Sequence, residues 1–305
     1  PQGSFLYNMG WGDAVIVSPK SADTNKEKPI GTGPFKFQDW VKGSSITLVK
    51  SDAYWGAPVS LDKAEFRIVP DAAAAVPALL SGDIQAFPFF DPDSVAQVKD
   101  DPRFHVVIGS TEGETILSIN NKKPPLDYVD LTGRYPHDVA KAKELLKQAG
   151  LENGFKATLK LPPPSYARLG GEIIASELRD VGIDLEIVPV EWAQWLDQVF
   201  TKKDYDLTIV SHTEPNDIDI YSRKDYYFNY NNPAFDKVIA DLNLTSDEAK
   251  RKELLGEAQK ILADDAVVGF LYELPKVGVW DAKLQGLWEN APIQANDLTK
   301  VKWSE

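Results

Sequence analysis

The 305-residue chain contains no cysteine, one methionine and three histidines. The missing cysteines exclude disulfides, thiolate metal sites and thiol nucleophiles together, and they are compatible with export into an oxidising space. Basic residues are also short: 33 Lys and Arg stand against 46 Asp and Glu, a formal charge of −13. A general affinity for nucleic acid or anionic lipid is therefore not expected, because either needs a basic face to replace condensed cations. No run of 18 apolar residues occurs, so no membrane-spanning helix is predicted. The opening PQGSFLYNMG has neither the basic nor the apolar region of an export signal, which is expected to have been removed.

What is present describes a folded protein, with 43% hydrophobic and 26% charged residues. The length favours two domains. FKFQDWVKGSSITLVK, from Phe35, predicts a hairpin around Lys42-Gly43-Ser44. AEFRIVP, from Ala64, predicts a strand, and DAAAAVPALLSGD a helix from Asp71 to Gly82 with Pro77 inside. Two further strands are expected at 104–108 and 114–120, and a helix at 137–150. An alternation follows: strand 155–161, helix near 168–181, strand 183–190, helix 191–201, strand 204–210. Strands separated by helices of that length predict right-handed crossovers in a parallel sheet. A helix over about 246–264 and two strands, VVGFLYELP and VGVWDA, with a turn at Pro275-Lys276, complete the chain.

In open α/β sheets, ligands bind beyond the carboxyl ends of the strands. Three segments leave those ends: PPPSYAR from Pro162, EWAQW from Glu191, and SHTEPNDIDIY from Ser211. On the first, Arg168 offers a guanidinium fork for a carboxylate, and Tyr166 a wall. Trp192 and Trp195 lie three apart on one helical face, a spacing that suits core packing for one and a stacking wall for the other. The third segment supplies His212, Glu214, Asp217 and Asp219.

Chemistry of other kinds finds little support. His105, His137 and His212 are widely spaced and form no paired-ligand motif, and Asp217 and Asp219 lack the glycine and distal glutamate of a calcium loop. No metal or other cofactor is expected. Glu214 with Asp217 or Asp219 could serve as a glycosidase-type carboxylate pair, which keeps a glycoside hydrolase as the enzymatic alternative. The GTGPF turn runs into a proline and a β-rich stretch rather than opening a helix, so it is not read as a phosphate loop.

Taken in order, GTGPFKFQDWVKGSSITLVKSDAYWG, LDKAEFRIVPDAAAAVPALLSGDIQAF, LSINNKKPPLD, DVAKAKELLKQAGLENGF, VPVEWAQWLDQV and YDLTIVSHTEPNDID resemble the periplasmic peptide/nickel-type solute-binding proteins of ABC importers, family 5. The resemblance implies an α/β, two-lobe periplasmic-binding-protein-like fold (type II, cluster C) that closes on a solute, does no chemistry, and delivers its cargo to an inner-membrane permease. It places Tyr166, Arg168 and the loop after Val210 at the cleft of a periplasmic protein, expected to be a monomer, and with Trp192 read as a wall the expected ligand-binding residues are Tyr166, Arg168, Trp192, His212, Glu214, Asp217 and Asp219. In the peptide binders the loop matching Tyr166 and Arg168 holds the carboxylate, and the loop after Val210 the amino group. A peptide-like or amino-acid-conjugate solute such as an opine is expected, with an oligosaccharide as second choice. Thirty residues precede GTGPF, where the family carries a far longer segment, and after KKPPLD the chain jumps to YVDLTGRYPHDV. The first lobe, at 1–118 and 270–305, is thus expected to be incomplete, and the second to span 119–269.

Overall fold

The computed structural model describes residues 5, 9–10, 15–69, 74–119, 136–213, 217–291 and 295–304. In chain order the strands and helices begin with β1 (Phe35–Val41), β2 (Ser45–Lys50), β3 (Lys63–Arg67), α1 (Ala75–Ser81), β4 (Ala86–Phe87) and β5 (Phe104–Ile119). Next come α2 (Val139–Gln148), β6 (Phe155–Leu161), α3 (Ser165–Asp180), β7 (Ile183–Pro189), α4 (Trp192–Trp195) and β8 (Leu207–His212). The chain continues through α5 (Pro233–Leu244), α6 (Glu248–Asp265), β9 (Val268–Asp281), β10 (Leu284–Gln285) and β11 (Lys302–Trp303). Among the described residues no helix is long and apolar enough to cross a membrane.

The chain forms two compact units, one of Met9–Glu112 with Pro275–Glu305 and the other centred on Gly113–Leu274. It passes between them inside β5, at Gly113, and inside β9, at Pro275.

In the unit that holds the chain's first strands, β1, β2 and β3 form an antiparallel sheet. Phe37, Leu48 and Ala64 stand side by side across it. Its packed centre lies elsewhere, where α1 sets Ala75, Val76 and Leu79 against Phe90, Val98, Val277 and Val279. Pro77 sits in the first turn of α1, where its missing N–H has no intrahelical partner to lose. Asp71, the expected start of this helix, lies outside the described residues.

Two predicted breaks are absent. The segment 104–119 is one strand rather than two, because Gly109 marks a close approach and not a turn: a Cβ there would lie 2.0 Å from the Glu289 carbonyl oxygen. The neighbouring backbone confirms the contact, with Ala291 N–H donating to the Ser110 carbonyl at 2.9 Å. Likewise 268–281 is a single strand that runs through Pro275, the residue at which the unit boundary falls. Lys276 is buried beyond it, its ammonium donating to the Trp288 carbonyl and lying 5.4 Å from the centroid of the Trp280 ring.

The other unit carries the sheet that positions the site. β6 pairs in parallel with β7 on one side and with β8 on the other. Beyond β8 lies antiparallel β5, and β9 is next to β5. The sheet is therefore mixed rather than wholly parallel. β8 shows how both faces are covered. Leu207 and Ile209 join Leu159, Leu161, Ala167 and Leu185 under α3, whereas Val210 joins Ile116, Trp195, Phe235 and Leu254 beneath α4, α5 and α6. At about 1.5–3 kcal/mol for each large apolar side chain removed from water, these two layers dominate the unit's stability. Helix α5 escapes the sequence expectation, although Asn232 caps it through the Ala234 and Phe235 N–H groups and Pro233 opens it. The helix expected at 191–201 winds normally only to Trp195 and continues as a wider π-turn over Leu196–Thr201.

Candidate functional site

The sheet order β8-β6-β7 means that the chain leaves β6 toward one side and later returns on the other, and in open α/β sheets such a switch point marks the ligand crevice beyond the carboxyl ends of the strands, here β6 and β8. β6 ends where Pro162 to Pro164 remove successive N–H donors, and α3 begins at once, at Ser165. Tyr166 and Arg168 thus fall in the first turn of a helix whose start lies at that crevice. The Tyr166 hydroxyl accepts the Ser211 N–H at 3.2 Å, which ties the β6 exit to the end of β8. Its carbonyl accepts from the Tyr272 hydroxyl at 3.3 Å. Burial raises the Tyr166 phenol above its ordinary range, partly offset by that Ser211 N–H.

Arg168 uses little of its fork. One terminal nitrogen reaches the Glu191 carboxylate at 3.5 Å, while Nε is buried without a hydrogen-bond partner among the described residues. Glu191 is half of a capping box, since its N–H donates to the Gln194 side chain at 3.0 Å and its own side chain accepts from the helix. Next to it the two tryptophans divide as their spacing allowed. Trp195 is core, its indole N–H donating to the Thr208 hydroxyl at 2.9 Å, and Trp192 leans edge-on against it with 42% of its surface exposed.

The third exit is less uniform than the sequence suggested. His212 is buried, and its Nε2 lies 3.0 Å from the Tyr227 hydroxyl, which in turn meets the Ser118 hydroxyl at 2.9 Å. That network places His212 inside the core rather than on an open loop. The Asp219 carboxylate accepts from Arg223 at 2.9 Å, so its charge is answered within its own turn. Asp217 is half-buried at the start of a short 3-10 turn, Asp217–Ser222. Glu214 lies outside the described residues.

Two residues not singled out from the sequence belong beside Asp217. Glu114, on β5, stands opposite His212 in the antiparallel register. Burial, and then the Asp217 carboxylate, push its carboxyl up to about 7, against a smaller lowering by His212 and a further rise from Glu273. Tyr221 is buried, its ring stacked on Phe228 at 4.9 Å and met edge-on by Phe235 and Phe270. Its phenol is held well above its ordinary range by burial and by the charges of Glu114 and Asp217, and the hydroxyl has no hydrogen-bond partner among the described residues. A signal for Glu114 existed: it lies in a strand whose neighbours Thr115, Ile116 and Ser118 are all fully buried, so an acid there is partly withdrawn from water whichever face it takes. The arrangement offers a cation on the β6 exit and carboxyl groups at the end of β8, a pairing suited to binding a solute with both charges.

The profile described as bacterial extracellular solute-binding proteins, family 5 Middle, matches residues 2–131 and 127–214. The dipeptide-binding protein of Escherichia coli K12 is 28% identical over 87% of this chain and 62% of its own. The chain spans about three fifths of the length of the relatives it matches. Among solved structures, the periplasmic binding protein DppA of Helicobacter pylori, in complex with peptide STSA, superposes with a TM-score of 0.80 at 25% identity, covering 100% of this chain and 71% of that one. AgaA from A. tumefacien R10, in complex with agropinic acid, gives 0.78 at 20% identity and covers 100% of this chain and 74% of that one.

Proposed function

The chain belongs to the bacterial extracellular solute-binding proteins of family 5, and from that premise we propose that it captures a small solute carrying both a carboxylate and an amine, a peptide or an amino-acid conjugate. The observation that carries the reading is Arg168, whose buried Nε is left without a partner at the mouth of the β6–β8 crevice while carboxyl groups gather at the end of β8. A guanidinium with unused donors matches a planar carboxylate. Glu114 and Asp217 match an ammonium group, and Trp192 supplies an exposed aromatic wall. Relatives that bind a dipeptide, the peptide STSA and agropinic acid support this class of solute.

The wider reading is that the protein works outside the cytoplasm and hands its solute to the permease of an ABC importer, as a monomer and without chemical turnover. Asp217 is the preferred loop acid, because its charge bears on Glu114 across the end of β8. Native mass spectrometry of the purified chain tests the solute class: a bound mass that dissociates as a zwitterionic peptide or conjugate supports it, and a neutral sugar contradicts it.

A further inference from the structure

Strand β5 changes neighbours where it changes units. Along its ladder with β8 the pairs run from Ile119 opposite Leu207 to Glu114 opposite His212. Past the crossing at Gly113, residues 288–291 lie alongside it instead. Thr111 bridges Ala291 in parallel, and the Ala291 N–H donates to the Ser110 carbonyl at 2.9 Å. The Asn290 side-chain oxygen accepts both the Ser110 N–H, at 2.9 Å, and the Ser110 hydroxyl, at 3.2 Å. The Glu289 carbonyl closes on Gly109, where only a residue without a Cβ admits it. Between the two sets of pairs lie just Glu112 and Gly113.

The same segment grips β9. Lys276, next after the crossing at Pro275, is only 3% exposed. Its ammonium donates to the Trp288 carbonyl and lies 5.4 Å from the centroid of the Trp280 ring and 5.9 Å from that of Phe89. Moving a buried ammonium off such partners leaves its charge uncompensated, so this contact resists displacement. The segment is itself rooted, since Leu287 packs on Val107, Trp280, Leu284 and Val301 and Ala291 is buried. All of these residues belong to the unit of Met9–Glu112 and Pro275–Glu305.

We propose that residues 288–291 are a strap that stiffens both crossing strands, with Asn290 and Lys276 as its fastenings, so that β5 bends at Glu112 and Gly113 and β9 at Leu274 and Pro275. A bend spread over more of either strand shears the Ser110–Ala291 pairing and strips the Lys276 ammonium of its carbonyl. A bend held to these four residues disturbs neither. The residue types fit: Gly113 takes up a φ/ψ change with no Cβ to clash, and Pro275 gives the ladder no N–H to break. Hinges elsewhere also concentrate large dihedral changes in a few residues. The device stands whatever the solute.

Backbone relaxation dispersion and amide hydrogen exchange, both read by NMR, test it on wild type and Asn290→Ala. In wild type, microsecond-to-millisecond broadening is expected at Glu112, Gly113 and Leu274 and not at Gly109, Ser110, Thr111 or Lys276. Asn290→Ala should spread it to those four and speed exchange of the Ser110 and Ala291 amides about tenfold, leaving Leu79 and Val279 in the unit's core unchanged. Asn290→Asp keeps the acceptor oxygen and should restore the wild-type pattern. Lys276→Met reads the same loosening from the β9 side, and decides the matter if Asn290→Ala folds poorly. Three results overturn the proposal: no broadening at Glu112 and Gly113 in wild type, broadening already present at 109–111, or faster exchange in the variants that reaches Leu79 and Val279 equally. The last makes the segment ordinary core.

Discussion

Glu114 and His212 stand directly across the β5–β8 ladder from each other, and the carboxyl of the first is pushed up to about 7 while the imidazole of the second is held by Tyr227. A group raised this far binds its proton more tightly folded than unfolded. Stability contributed by the protonated form is complete below the unfolded value, is lost as pH rises toward 7, and changes no further above it. Wild-type stability should therefore fall relative to Glu114→Gln between about pH 4.5 and 7. Urea midpoints of the two proteins across that window check this, and parallel profiles would contradict it.

Tyr221→Phe removes a buried hydroxyl that bonds to nothing among the described residues. Its loss should leave stability unchanged or raise it by up to about 1 kcal/mol, since the desolvation cost of the hydroxyl disappears with it. Equilibrium unfolding should show no loss. A drop of more than about 1 kcal/mol would mean that the phenol has a structural partner.

Thr208→Val acts oppositely. The Thr208 hydroxyl accepts from the buried Trp195 indole and donates to the Lys160 carbonyl at 2.6 Å. Valine strands both, and the expected loss is about 1–3 kcal/mol, read from the shift in urea midpoint.

Gly154→Ala tests the turn that starts β6. Gly154 has φ of 70°, and a Cβ would fall 1.8 Å from the Gly182 carbonyl oxygen, backbone that cannot yield. Destabilisation by more than about 2 kcal/mol is expected, with the β6–β7 pairing weakened at its first residues. An alanine variant of native melting temperature would show that this close approach does not exist.

Much of the second unit was legible because its signals are local. Alternation delimited β6, and a strand-breaking proline run followed by a helical segment located α3, Tyr166 and Arg168. The tryptophan pair split as its three-residue spacing allowed. Long-range pairing was not legible. A break was expected after residue 108 and a turn at Pro275, yet Gly109 accommodates the backbone of Glu289 and Pro275 lies where a strand passes between units. Glu114 was overlooked for the same reason, since its neighbours Asp217 and Tyr221 are about a hundred positions away and only the β5–β8 register brings them together. Conversely, His212 and Asp219 looked available in SHTEPNDIDIY, and their partners Tyr227 and Arg223 come from residues downstream that the loop's composition does not announce.

The central claim is that the crevice beyond β6 and β8 captures a solute bearing a carboxylate through Arg168. Thermal melting of wild type and Arg168→Ala with a saturating mixture of free dipeptides, and with the same mixture as C-terminal amides, tests it most directly. The account predicts that free dipeptides raise the wild-type melting temperature, that the amides raise it less, and that Arg168→Ala weakens the free forms by about 1.5–3 kcal/mol. Equal stabilisation of both proteins, or none by either mixture, would contradict it.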